Sequence, residues 1–65
     1  MKKYVVKDLI SGEYLAENYS YRICANHTYD KIIKFDTLKE AKQHISNIAR
    51  TASDNRPKRI IKIYL

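Results

Sequence analysis

Apolar residues recur along this chain with two periods, and the change of period marks the elements. Lys3-Tyr4-Val5-Val6-Lys7-Asp8-Leu9 is rich in β-branched and aromatic residues and predicts a strand. Ser11-Gly12 follows, where glycine can supply the positive φ of a tight turn. Glu13-Tyr14-Leu15-Ala16 predicts the returning arm of a hairpin. Asn18 is expected to interrupt it. Tyr19 to Ala25 predicts a third strand, with Tyr19, Tyr21 and Ile23 on one face and Ser20, Arg22 and Cys24 on the other. Asn26-His27-Thr28-Tyr29-Asp30 reads as a polar turn, and Lys31 to Phe35 as a short strand or extended run.

The period then changes from two to near 3.6. Leu38, Ala41, Ile45, Ile48 and Ala52 recur at spacings of three and four, with Ala49 beside them. This is one apolar stripe on a helix of about four turns. Lys39, Gln43, Asn47 and Arg50 fall on the opposite, wet side. Thr37-Leu38-Lys39-Glu40 fits a capping box, and Asp36 adds negative charge near the positive end of the helix dipole. Ser53 to Pro57 is a loop, since Pro57 disfavours helix at Arg56. Lys58 to Leu65 closes the chain as a strand, Arg59, Ile61, Ile63 and Leu65 alternating with Lys58, Ile60, Lys62 and Tyr64.

A single helix with one apolar face must cover one face of a sheet. The predicted fold class is therefore α+β: a small antiparallel sheet of three to four strands packed on one amphipathic helix, in the order β-β-β-(β)-α-β. Residues 1–65 form one domain. The expected core is Val6, Leu15, Ile23, Ile33, Phe35, Leu38, Ala41, Ile45, Ile48, Ile61 and Ile63. The sheet face away from the helix is expected to be open and to carry the tyrosines.

Composition narrows the function. A chain of 65 residues buries only about 60% of its unfolded surface. One Cys excludes an internal disulfide framework and a Cys-based zinc finger. No apolar run approaches membrane length, and the apolar stretch behind Met1-Lys2-Lys3 is too short for a signal peptide, so a cytoplasmic location is expected. Thirteen Lys and Arg against seven Asp and Glu give +6. That excess favours an anionic partner, either nucleic acid or an acidic protein surface, although charge also keeps small domains monomeric.

Candidate chemistry is sparse. Cys24, His27 and Asp30 stand three apart, but nothing predicts an oxyanion hole or helix N-terminus beside Cys24. As metal ligands, Cys24, His27 and His44 reach three only by assumption, so no metal or cofactor is expected. Glu13 and Glu17 are a strand length apart, and the only glycine, Gly12, cannot make a phosphate-cradling loop. The chain is therefore read as not an enzyme.

Aromatic and basic residues carry the remaining signal. Tyr14, Tyr19, Tyr21 and Tyr29, with Arg22 among them, suit either base stacking or a protein interface. Arg56, Lys58, Arg59 and Lys62 form the densest basic run, which suits binding as well as edge-strand protection. The candidate contacts are Tyr14, Tyr21, Arg22, Tyr29, Arg56 and Arg59. Homodimerisation through the last strand would also support so small a core, so monomer and homodimer both stand.

Three segments of the chain resemble small phage and prophage proteins: Lys3-Tyr4-Val5-Val6-Lys7-Asp8, the turn Ser11-Gly12-Glu13-Tyr14-Leu15, and the helix entry Phe35-Asp36-Thr37-Leu38-Lys39-Glu40-Ala41. The resemblance spans most of the chain and lies in fold-like motifs. It implies an accessory protein that disables host machinery, as anti-CRISPR proteins do when they bind an effector nuclease. The pool shares no site motif, so no functional residue carries over. Many such inhibitors are acidic DNA mimics, and +6 departs from that pattern. The expected function is steric occupation of a host protein, with a small basic nucleic-acid-binding module as the alternative.

Overall fold

The computed structural model describes residues 1–23 and 29–65. It is an α+β fold, with a four-stranded antiparallel sheet in the spatial order β3-β2-β1-β4 and one helix. The strands are β1 (Lys2–Asp8), β2 (Tyr14–Leu15), β3 (Tyr21–Arg22) and β4 (Lys58–Tyr64), and the helix α1 is Leu38–Thr51. The first and last strands pair along their full length, from Lys2↔Tyr64 to Asp8↔Lys58.

Local chemistry explains the turns. Asp8 closes the β1–β2 hairpin by accepting from the Ile10 amide at 2.9 Å and the Ser11 hydroxyl at 3.0 Å. Gly12 then takes φ +79°, a conformation open to glycine without steric cost. Asn18 ends the second arm at φ 59°, inside a short 3-10 turn spanning Glu17–Tyr19. The Thr37 side chain accepts from the Glu40 amide, which is the N-cap half of the expected capping box. At the other end Ser53 turns at φ 52°, so that the Asp54 amide reaches back to the Ile48 carbonyl at 3.2 Å.

Strand β1 is buried on both faces, with Val5 and Val6 each 0% exposed. Towards the helix, Val6, Leu15 and Ile48 form one cluster, joined by Tyr21, Ile33, Phe35, Ile45 and Ile60. On the far side Val5, Ala16, Ile32 and Ile63 form a second, joined by Tyr14, Tyr29 and Ile61. The far face is thus partly covered, whereas the alternation of polar and apolar residues predicts an open one.

The cover comes from the run before the helix. Beyond Tyr14 the first two strands diverge, and residues 32–35 wedge between them. Phe35 exchanges both backbone hydrogen bonds with Tyr4, each at 2.8 Å, while Ile32 bridges Ala16 and the Ile33 amide reaches the Leu15 carbonyl. The run expected as a short strand or extended segment accordingly makes two isolated bridges, one to Tyr4 in β1 and one to Ala16 just past β2.

Three further expectations change. Among the described residues the third strand is Tyr21–Arg22, because the chain before it is spent in the 3-10 turn, while Cys24 and Ala25 of the expected strand lie outside the described residues. Ile23 is 78% exposed and Leu38 43%, so neither belongs to the core. Among the described residues Ile23 lies past the last paired position of β3, and Leu38 is the first residue of the helix. Cys24 and His27 lie outside the described residues, as does the side chain of Tyr19.

Candidate functional site

Two polar groupings flank the sheet, and the six candidate residues divide between them. The first sits where the loop after the helix meets the hairpin turn. Arg56 pairs with Asp8 at 3.1 Å, and its guanidinium lies over the Tyr21 ring at 4.4 Å from the centroid. The Tyr21 hydroxyl donates to Asp54 at 2.5 Å. Asp54 also accepts from the Arg56 amide and from Lys58. The Lys58 ammonium uses all three donors, on the Asp54 carboxylate, the Asp54 carbonyl and the Arg56 carbonyl.

This knot is closed on itself. Among the described residues no buried side-chain nitrogen or oxygen lacks a partner. The Ile10 amide, with Ser11 and Arg56, holds the Asp8 carboxyl below its ordinary value against the opposing effect of burial. Burial pushes Asp54 up, but Tyr21, the Arg56 amide and Lys58 outweigh it and hold the carboxyl down. Burial raises the Tyr21 phenol, and the neighbouring Asp54 raises it further. Charges spent on each other in this way hold the loop to the sheet. Tyr21, expected on the open face, therefore lies on the helix side, and the basic run from Arg56 to Lys62 is split. Arg56 and Lys58 are counter-ions, while Arg59 and Lys62 are exposed.

The second grouping lies on the opposite face. Lys7 stands across from Arg59 on one side and from Tyr14 on the other, and Tyr14 stands across from Arg22. Paired residues share a face, so Arg59, Lys7, Tyr14 and Arg22 form one row across the sheet. At the usual strand spacing the row spans about 14 Å. Tyr29 meets Tyr14 edge-on, with ring centroids 5.8 Å apart, and the Lys7 ammonium sits 5.9 Å from the Tyr14 centroid. Among the described residues Arg22, Arg59 and Lys62 form no ion pair. The structure thus brings Tyr14, Arg22, Tyr29 and Arg59 to one face and places Tyr21 and Arg56 on the other.

Sequence reasoning missed Lys7. Its position beside Arg59 follows only from the strand register, and no local pattern encodes that. Directly opposed cations destabilise a strand pair, so the row is a poor arrangement for the isolated protein. The chain matches no family model, no curated protein and no solved structure.

Proposed function

We propose that this protein is a non-enzymatic binding protein that occupies an acidic surface of a host protein, with the row Arg59–Lys7–Tyr14–Arg22 as its contact. The observation that carries this reading is the opposition of Lys7 and Arg59 on a face where, among the described residues, neither forms an ion pair. An acidic partner would relieve that repulsion on docking. The resemblance to phage accessory proteins supports an inhibitor acting by steric occupation, and makes an effector nuclease the first target class to try.

One observation favours protein over nucleic acid. Base stacking needs an aromatic face, but Lys7 lies over the Tyr14 ring and Tyr29 abuts it. Cations over an occupied ring suit carboxylates better than bases.

A tagged protein passed through host lysate is expected to retain a stoichiometric protein partner. Doubly substituted Arg22→Glu/Arg59→Glu should lose it, while Lys39→Glu/Lys42→Glu on the outer helix face should keep it. Retention of the partner by the first double variant would sink the assignment of the row. Nucleic acid bound on a filter with steep salt dependence, and no protein partner, would favour the alternative module.

A further inference from the structure

We infer that the outer edge of β4 accepts an extended acidic strand from the protein partner, adding a fifth strand to the sheet. The inference rests on the protein-partner reading and names how that partner is held. β4 is seven residues long and ends the strand order, so its outer backbone groups meet no further strand among the described residues. Arg59, Ile60, Ile61 and Lys62 all line one open concavity of about 450 Å³, which also reaches Lys7 in β1 and Leu9 just beyond it. Successive strand residues point to opposite faces, so a hollow touching four in a row runs along the strand edge. Ile60 and Ile61 stay half-buried there, one on each face.

Charge selects the occupant. Arg59 projects on the row face and Lys62 on the helix side, three residues apart and both exposed. An added strand with acidic side chains opposite these two, and β-branched ones opposite the isoleucines, answers each position in turn. A second copy of this chain would bring another +6 to the same edge. Its own β4 offers no carboxylate to either cation.

The test uses a capped eight-residue peptide with two glutamates three positions apart and valine or threonine elsewhere. Calorimetry should detect binding to the intact protein, and the amides of β4 should slow in hydrogen exchange. Lys62→Glu should weaken binding by about tenfold or more, while Lys42→Glu, an equal change of charge on the helix, should not. N-methylation of alternate peptide amides should abolish binding in one register and spare it in the other, since only one edge of the added strand faces β4. Equal binding by both methylated peptides, or none by the unmethylated one, would overturn strand addition. So would sedimentation of the protein alone as a dimer that Lys62→Glu dissociates. Peptide binding without any lysate partner would sink the host-protein reading, and a lysate partner without peptide binding would sink this inference alone.

Discussion

Arg56 satisfies two neighbours with one group: its charge meets Asp8 and its flat face covers the Tyr21 ring. Lysine carries the charge but has no planar face to stack. Arg56→Ala is expected to lower the melting temperature by roughly 5–10 °C, with Arg56→Lys recovering about half. Equal melting temperatures for the two variants would show that stacking contributes nothing. The same knot sets the response to pH. Asp8 and Asp54 ionise below their ordinary 3.8 in the folded protein. The unfolded chain therefore takes up protons first on acidification, and this stability, complete at neutral pH, is lost as pH falls from that value through the folded ones. The Tyr21 phenol is raised above its ordinary 10.0, so its contribution is present below pH 10 and is lost as pH rises beyond it. Tyr21→Phe is expected to lose about 1–2 kcal/mol at neutral pH and to flatten the part of the alkaline decline that begins near pH 10. Urea denaturation across the pH range would show this, and parallel profiles for the two proteins would refute it. The contacts that tie the loop to the sheet are not visible in sequence, because Asp8 and Arg56 are 48 residues apart and Tyr21 and Asp54 are 33.

Elements differ in how far they could be read, and the reason is the range of the interactions that fix them. The helix was legible to its first residue because its cap is local: Thr37 and Glu40 meet within one turn. The hairpin and last strand were legible from alternation and one glycine. The 29–35 run was not, since its conformation depends on a gap between two strands far away in sequence. The backbone there departs from common geometry, with φ 53° at Tyr29 and 65° at Lys31. Lys34 holds the bend, donating to the Tyr29 carbonyl at 2.6 Å and the Ile32 carbonyl at 3.1 Å. A left-handed residue other than glycine costs about 1–2 kcal/mol, against which glycine adds about 0.5–1 kcal/mol of unfolded-state entropy. Lys31 is exposed, so Lys31→Gly is expected to stabilise by up to about 1 kcal/mol. A lower urea midpoint would mean that the lysine side chain contributes more than its backbone angle costs.

For the whole molecule, the net charge of +6 was plain in the sequence, but where it acts was not. Three carboxylates are taken up in pairs, Asp8 with Arg56, Asp54 with Lys58 and Asp36 with Lys3. Of the cations that form no ion pair among the described residues, Lys7, Arg22 and Arg59 share the face opposite the helix and Lys62 lies on β4, while Lys39, Lys42 and Arg50 are spread along α1. Stability and binding therefore pull in opposite directions at Lys7. Lys7→Glu would turn a repulsive cross-strand pair with Arg59 into an attractive one, worth roughly 0.2–1 kcal/mol, and would lower the net charge to about +4. It would also remove the cation over Tyr14, an exposed contact of about 0.5 kcal/mol. The balance in dilute buffer is a higher melting temperature, and the gain should shrink as salt shortens the reach of the opposed charges. The same variant should bind the host partner more weakly. A melting temperature that falls at every salt concentration would mean that Lys7 and Arg59 do not repel, and the row would lose the feature that marks it as a binding face.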